Sequence, residues 1–289
     1  MTLSIRTLHG YYRHYCFLPF YAFCDGWPLL ALLRPSNIDA SQGTLKQLQR
    51  ILPKLRAAWP EVKFLIRGDG GFCREPIMRW CEDHEVGYLF GLSKNERLKT
   101  EIAAEMLAAR MFQRDNGQPA RLFKCFKYQT RESWSSPRTV IAKAEHLAKG
   151  ENPRFVVTNL ELAPTDPQHV YEDVYCARGE MENRIKEQQL MLFADRTSAK
   201  SMRANQLRLT FSTIAYVLHH ALRVYGLAET ELAVAQVETI RTRVLKIGAQ
   251  VRVSVRCIWI RLSASHPVQR LWNEILANLR TNLPPPLPE

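Results

Sequence analysis

Residues 175–196 read YCARGEMENRIKEQQLMLFADR, and this stretch predicts a helix. After Gly179 it contains neither Gly nor Pro, and it is rich in Glu, Gln, Met, Leu and Arg, which all favour helix. Arg178, Glu182 and Lys186 recur every four residues, so the pattern predicts a charged row along one helix face. Taken alone, such a row is most simply a solvated ladder of salt bridges.

A second stretch places an acid at the end of a predicted strand. Residues 64–72 read FLIRGDGGF, in which an apolar run ends at Asp69 and two glycines follow. Carboxylates at the carboxyl ends of strands often lie in the sites of α/β folds, and glycine lets the following loop turn tightly. Asp69 and Glu182 therefore become candidate partners, although they are far apart in the sequence.

Six segments, spread in order along nearly the whole chain, match one known pattern. They are HGYYRHYCFLPFYAFC (9–24), LRPSNIDAS (33–41), RGDGGFCRE (67–75), YCARGEMENRIKEQQLMLFADRTS (175–198), MRANQLRL (202–209) and TIRTRVLKIGAQVRVSVRCI (239–258). They resemble transposases with an Asp-Asp-Glu catalytic set on a ribonuclease-H-like fold. Among these, the chain is most similar to the IS1380-type branch of the IS4-like transposases.

The resemblance implies a metal-dependent active site. Transposases of this type hydrolyse a phosphodiester at the transposon end, and the freed 3′-hydroxyl then attacks target DNA. Carboxylates in such sites hold two divalent cations beside the reacting phosphate, and hard oxygen ligands suit Mg²⁺ or Mn²⁺. By this resemblance, Asp69 and Glu182 are the expected catalytic and metal-binding residues.

The family's Tyr-x-x-Arg-x-x-x-Glu signature implies further phosphate and DNA contacts. It falls on Tyr175, Arg178 and Glu182. The lysine that ends the signature, seven residues after the glutamate, is Gln189 here, and Lys186 is the candidate that replaces it as a phosphate contact. Arg178 is expected to orient Glu182 or to bind a phosphate. Tyr175 either donates to phosphate or packs in the core.

One part of the family pattern is missing from the sequence. The family's first Asp lies a few residues before His9, whereas residues 2–8 read TLSIRTL and contain no acid. Asp25 falls in a predicted hairpin turn and Asp39 in a loop before a helix, and neither matches the motif. We therefore expect a chain that begins one strand late, that is, a truncated and impaired copy.

The predicted secondary structure fits a ribonuclease-H-like α/β fold. Strands are expected on both sides of Asp25-Gly26 and over 63–68, 87–92, 121–130, 138–145, 154–160 and 251–262, with helices over 43–59, 75–85 and 94–114. We expect a mixed sheet with helices, a β-rich insertion and a mainly helical C-terminal extension. The expected division is a catalytic core at 1–98 and 154–197, an insertion at 99–153 and a basic C-terminal region at 198–289.

The charge balance indicates a nucleic-acid partner. The chain has a formal net charge of +12, and from Arg196 onward 13 basic against 5 acidic residues leave +8. Such an excess favours a polyanion, most commonly a nucleic acid. The resemblance to transposases implies that the partner is DNA, as transposon ends and as target, with a possible homodimer on DNA. No apolar run approaches the roughly 20 residues of a membrane span. Seven scattered cysteines favour a reduced, cytoplasmic setting, and the resemblance to transposases implies a bacterial, nucleoid-associated location.

Two questions stay open at this point. Between residues 121 and 143, Lys and Arg alternate with aromatic residues, which suits either a DNA-facing surface or a solvated sheet face over a small core. The function expected from the resemblance is that of a transposase. The alternatives are a non-catalytic DNA-binding remnant that competes for transposon ends and, more weakly, a general nuclease of the same fold.

Overall fold

The chain forms two compact units. A computed structural model describes residues 7–9, 14–161, 167–263 and 267–282. One unit is Ile38–Gly179, and the other combines Met1–Asn37 with Glu180–Glu289. The architecture is mixed α/β with a mixed sheet and several helices, so the expected fold class is confirmed. Most of the acid-free segment 2–8 lies outside the described residues.

The strands follow the predicted positions closely up to residue 160. They are β1 (Thr7–His9), β2 (His14–Cys24), β3 (Trp27–Pro35), β4 (Leu65–Gly68), β5 (Gly87–Leu92), β6 (Ala120–Tyr128), β7 (Arg138–Leu147), β8 (Gly150–Glu151), β9 (Arg154–Thr158), β10 (Ala249–Val253) and β11 (Ile258–Leu262). The single strand predicted over 251–262 is wrong, because a turn at Ser254–Cys257 divides this region into the antiparallel pair β10 and β11.

The helices include several short π-helical turns. The α-helices are α1 (Thr44–Ala58), α2 (Glu75–Asp83), α3 (Glu96–Glu101), α4 (Ala103–Asn116), α5 (Pro167–His169), α6 (Gly179–Lys186), α7 (Met202–Ala221), α8 (Val237–Ile240) and α9 (Gln269–Asn282). π-Helical turns occupy Val170–Tyr175, Glu187–Met191, Leu222–Gly226 and Arg241–Leu245, and a 3₁₀ turn occupies Cys176–Arg178. The helix predicted over 94–114 is interrupted at Ile102, which is both the C-cap of α3 and the N-cap of α4.

The hairpin between β2 and β3 confirms the turn predicted at Asp25-Gly26. Both residues have positive φ, 45° and 82°, as a tight two-residue hairpin turn requires. A Cβ on Gly26 would lie only 2.7 Å from Cε1 of His220, so glycine is needed for space as well as for conformation. His220 is buried and packs edge-on against Trp27. This contact gives that histidine a structural role.

A mixed sheet organises the unit Ile38–Gly179. Its order is β4-β5-β9-β7-β6, and β8 pairs with β7. β4 and β5 are parallel, whereas the other pairs are antiparallel. The carboxyl ends of β4 and β5 therefore lie at the same edge of the sheet, which is where α/β folds place their sites. The division into core, insertion and C-terminal region remains a prediction, while β6 and β7 share this sheet with β4, β5 and β9.

Buried apolar side chains hold α1, α2 and α4 against this sheet. The core contains fully buried residues from helices and strands alike, including Met78, Tyr88, Phe90, Ile102 and Val140. α2 begins with Glu75 and Pro76, and proline in the first helical turn needs no intrahelical hydrogen bond. This packing fixes the helix that follows the Asp69 loop.

An ion-pair network links α2 to β7. Arg138 is 3% exposed, and its guanidinium donates to Glu82 Oε1 at 2.6 Å and to Glu75 Oε2 at 2.5 Å. Tyr88 donates its hydroxyl to Glu82 at 2.7 Å. The open question about residues 121–143 is thereby answered for several of them: Arg138, Tyr128 and Trp134 are buried, so the DNA-facing interpretation is wrong for these side chains.

We predict that Arg138→Ala lowers the free energy of unfolding by roughly 3–5 kcal/mol, because it leaves two partly buried carboxylates without their cation. Burial alone would raise the pKa of Glu75 and Glu82, but hydrogen bonds from Arg138 lower both overall. The stabilisation from these ion pairs is therefore complete above the ordinary glutamate pKa, and it is lost as the pH falls through the lowered pKa values of Glu75 and Glu82.

Denaturant unfolding at neutral and acidic pH measures this effect. Arg79→Ala on the exposed side of α2 is the matched control, since its ion pair with Asp83 is 3.9 Å long and exposed. Equal losses for the two variants, or a loss for Arg138→Ala that does not shrink on acidification, would contradict the proposed role of the network.

Candidate active site

Asp69 stands at the first position after β4, at the carboxyl edge of the sheet. The side chain is exposed, and its Oδ1 accepts a hydrogen bond from the Gly71 N–H at 2.8 Å. A Cβ on Gly71 would lie 2.9 Å from that same Oδ1, so the second glycine makes room for the carboxylate. The RGDGG motif therefore orients an exposed carboxylate by a short backbone loop.

Gly91 on the neighbouring strand β5 allows two other groups to approach. A Cβ at this position would lie 2.8 Å from the Tyr175 hydroxyl and 3.0 Å from the Gly70 nitrogen. The Tyr175 hydroxyl and the loop after Asp69 thus both pack against one point of the β5 backbone. A glycine is required there because a methyl group would displace one of them.

Asp69, Tyr175 and Arg178 line one cleft. Its volume is about 450 Å³. The other lining residues come from the loop after Asp69, from the end of β5 and the residues after it, from the start of β9 and the residue before it, and from the helical turn before Tyr175: Gly70, Gly91, Leu92, Ser93, Lys94, Pro153, Arg154, Phe155 and Tyr171. Three cationic side chains, Lys94, Arg154 and Arg178, face a single carboxylate. A cleft with this balance suits a phosphate group.

Tyr175 is held in a protonated, hydrogen-bonding form. Burial raises its pKa, Arg178 partly offsets that rise, and Asp69 adds to it. The Arg178 guanidinium lies 5.8 Å from the centre of the Tyr175 ring. Arg67 on β4 donates to the Val174 carbonyl at 2.8 Å, which ties the helical turn before Tyr175 to the sheet. At neutral pH the phenol therefore keeps its proton and remains a donor.

Comparison with known proteins identifies the family. The family model described as Transposase DDE domain group 1 matches residues 4–284. The chain belongs to the group 1 DDE transposases. A search of the curated proteins found no significant match. Membership of this family supports a DNA substrate and the use of divalent metal ions.

The described residues of this DDE transposase divide the two expected catalytic acids between the two units. Asp69 belongs to Ile38–Gly179, whereas Glu182 and Lys186 are exposed residues of α6 in the unit that contains Glu180–Glu289. The convergence of Asp69 with Glu182 remains a prediction. Within the described ranges no group of three or more His, Cys, Asp or Glu side chains is arranged to hold a metal ion. No described helix is long and apolar enough to cross a membrane.

Asp39 is engaged by other groups. Its Oδ1 accepts from the Ser41 backbone at 2.8 Å and its Oδ2 accepts from Arg74 at 2.9 Å. The hydrogen bond from the Ser41 hydroxyl and those from Arg74 and the Ser41 backbone lower its pKa to about 2. Asp25 lies in the β2–β3 turn. These contacts give Asp39 a role in fixing its loop.

The cleft also contains residues that sequence reasoning missed. Lys94 and Arg154 line it, and neither belongs to the family signature. The sequence could have indicated Lys94, because it follows the predicted strand β5. The carboxyl ends of the parallel neighbours β4 and β5 lie at one edge of the sheet, which places Lys94 near Asp69. Arg154 carried no such signal, because its place depends on β9 pairing antiparallel with β5.

The turn after the Glu182 helix is anchored by a buried glutamate. Glu187 is 3% exposed and begins the π-helical turn Glu187–Met191. Its Oε1 accepts from Arg223 Nη2 at 2.8 Å and from the Val237 N–H at 3.0 Å, and Arg184 lies 3.4 Å from its other oxygen. The end of the helix is thereby attached to the C-terminal helices of the same unit.

We predict that Gly91→Ala lowers the free energy of unfolding by about 1–3 kcal/mol, because the added methyl overpacks the contact with Tyr175 and Gly70. Gly179→Ala is the matched control, since among the described residues none outside the local helix backbone and the chain neighbours places an atom within 4 Å of the position that its added methyl would occupy. That control should be neutral or stabilising by about 0.5–1 kcal/mol, as expected for glycine in a helix.

Thermal or denaturant unfolding compares these variants, and Gly91→Ala/Tyr175→Phe tests the cause. Removal of the hydroxyl should recover part of the loss, because that oxygen is the nearest atom to the new methyl. An unchanged loss in the double variant would show that Tyr175 does not limit the space at this position.

We also predict that Glu187→Ala costs roughly 3–5 kcal/mol of unfolding free energy, because it leaves the buried Arg223 guanidinium without its carboxylate. Glu180→Ala on the exposed side of α6 is the control and should change stability by less than about 0.5 kcal/mol. Urea unfolding of both variants measures the difference. A cost for Glu187→Ala no larger than for Glu180→Ala would exclude the anchoring role.

Proposed function

We propose that this chain is a DNA transposase of the IS1380 type, which cleaves phosphodiester bonds at insertion-sequence ends and joins the freed ends to target DNA. The observation that carries the proposal is the cleft in which Asp69 faces Tyr175 and Arg178. It combines one strand-end carboxylate with an excess of cationic side chains. The match of the family model to nearly the whole chain supports the same conclusion.

The donor set of the cleft fits part of a divalent metal site. Asp69 supplies a hard oxygen ligand, and within the described residues its Oδ2 makes no hydrogen bond, so that oxygen is available to a cation. Asp69 and Glu182 would hold Mg²⁺ or Mn²⁺. When bound, two such ions would stabilise the negative charge that develops on the attacking and leaving oxygens.

The remaining residues of the site act on the DNA. Arg178 has a guanidinium that can bind a phosphate through two N–H groups. Tyr175 keeps its proton and can donate to the same phosphate. Lys94 and Arg154 would hold the neighbouring phosphates, since both line the cleft. Lys186, one helical turn after Glu182, is the proposed DNA contact of α6.

We expect metal-dependent cleavage by the 289-residue chain to be slow. The sequence has no acid before Asp25, so Asp69 and Glu182 supply two carboxylates where the family's set has three. An electrostatic contribution of this kind is worth about 3–4 kcal/mol, or a factor of roughly 10² to 10³ in rate. The measurement is cleavage of labelled transposon-end DNA in Mg²⁺ or Mn²⁺, together with Mn²⁺ affinity by titration.

Asp69→Ala and Glu182→Ala should each abolish the residual cleavage and weaken Mn²⁺ binding, while DNA binding in EDTA is retained. Asp115→Asn, an exposed acid on α4, is the control and should leave all three measurements unchanged. Rapid cleavage that survives Asp69→Ala would refute the assignment. DNA binding with no cleavage in either metal would instead favour the non-catalytic DNA-binding alternative.

A further inference from the structure

β10 and β11 form an exposed two-stranded ribbon. Every residue from Ala249 to Leu262 is exposed. The strands pair antiparallel, and the turn between them is closed by Ser254, whose N–H donates to the Cys257 carbonyl at 2.9 Å and whose hydroxyl accepts from the Cys257 N–H at 3.1 Å. This turn places Arg256 at the tip of the ribbon.

Alternation along the strands separates the side chains into two faces. The directly opposed pairs Gln250–Arg261 and Arg252–Trp259 share one face. The opposite face contains only apolar side chains: Ala249, Val251, Val253, Ile258, Ile260 and Leu262. Arg252 and Arg261 are diagonal neighbours on the polar face, and Trp259, which is 60% exposed, lies beside them.

The polar face and the tip of the ribbon have a concentrated positive charge. Residues 249–262 contain three arginines and no acid. In the part of the chain that the structure describes, no carboxylate lies within ion-pair distance of Arg252, Arg256 or Arg261. A strand of five residues is about 17 Å long, so three uncompensated charges occupy a short, accessible element.

We propose that the polar face of the β10–β11 ribbon, together with Arg256 at its tip, is a binding site for the phosphate backbone of duplex DNA, with Arg252, Arg256 and Arg261 as the phosphate contacts. The proposal rests on the proposed transposase function and adds an element outside the cleft. Charge complementarity selects DNA as the occupant. The shape agrees, because a two-stranded ribbon can enter the major groove of B-form DNA.

The ribbon contacts position the DNA and carry no sequence information of their own. Arginine bound to phosphate fixes orientation on the duplex, whereas sequence is read at base edges. Trp259 can pack its ring against the sugars beside the phosphates held by Arg252. The ribbon thus supplies affinity that depends on salt concentration, separately from any metal bound near Asp69.

The test is a salt titration of full-length protein on a labelled duplex in EDTA. Each phosphate contact contributes about 0.9 to the slope of log affinity against log salt concentration. Arg252→Ala/Arg256→Ala/Arg261→Ala removes three contacts, so its fold-loss of affinity between about 50 and about 200 mM salt should be about 40 times smaller than that of the parent chain. At about 50 mM salt the triple variant should also bind more weakly.

Two control variants accompany this one. Arg50→Ala/Lys54→Ala/Arg110→Ala makes the same change of charge at exposed positions of α1 and α4, and it should keep the parent slope. The triple arginine-to-lysine variant of the ribbon keeps the charge, and it should also keep the slope. Thermal unfolding verifies that every variant is folded.

The outcomes separate the two proposals. If the parent chain binds no DNA at about 50 mM salt, the proposed function itself fails. If the parent binds and the ribbon variant keeps its slope, the ribbon proposal alone is overturned. Val251→Ser/Ile260→Ser on the apolar face should leave the slope and the sedimentation behaviour unchanged. A loss of self-association in this variant, with a normal slope in the arginine variant, would make the ribbon a contact between copies of the chain and overturn the proposal.

Discussion

The buried contact of Arg138 with Glu75 and Glu82 is the interaction on which the unit Ile38–Gly179 depends. Arg138 is the first residue of β7, and Glu75 is the first residue of α2. α2 follows the Asp69 loop after only a few residues, so the network fixes one end of that loop while β4 fixes the other. The buried ion pairs of Arg138 therefore help to position the Asp69 loop at the edge of the sheet.

Close packing completes the cleft. The backbone of Gly91 meets the Tyr175 hydroxyl on one side and the Gly70 nitrogen on the other. Because the phenol is buried, its pKa is raised and it stays a donor, while the neighbouring Arg178 keeps its cation near the same position. Asp69, Tyr175 and Arg178 thus line one cleft, and the close approach of the Tyr175 hydroxyl and of the loop after Asp69 depends on the absence of a side chain at residue 91.

The local signals in the sequence predicted local structure well. The Asp25-Gly26 turn, the strand Gly87–Leu92 and the helix that begins at Glu75 were predicted from composition and turn residues, and the structure confirms them. The break at Ile102 and the hairpin within 249–262 were missed, because periodicity alone does not register a one-residue change of hydrogen bonding or a turn without glycine. At the site, the position of Asp69 could be predicted because it directly follows a predicted strand. The position of Arg154 and the need for glycine at residue 91 could not be predicted, because both depend on which strands pair in the folded sheet.

Net charge was an incomplete guide to the DNA-binding surface. Four of the arginines behind the +8 excess face carboxylates at short distance: Arg223 with Glu187, Arg241 with Glu238, Arg243 with Glu231 and Arg270 with Glu274. An arginine whose charge is already matched by a carboxylate contributes little to attracting a polyanion. The buried pair of Arg223 and Glu187 instead anchors the turn that follows the Glu182 helix. Arginines that lack a neighbouring carboxylate are therefore the ones that can attract DNA. In the described C-terminal region, the ribbon of β10 and β11 contains three such arginines and no acid.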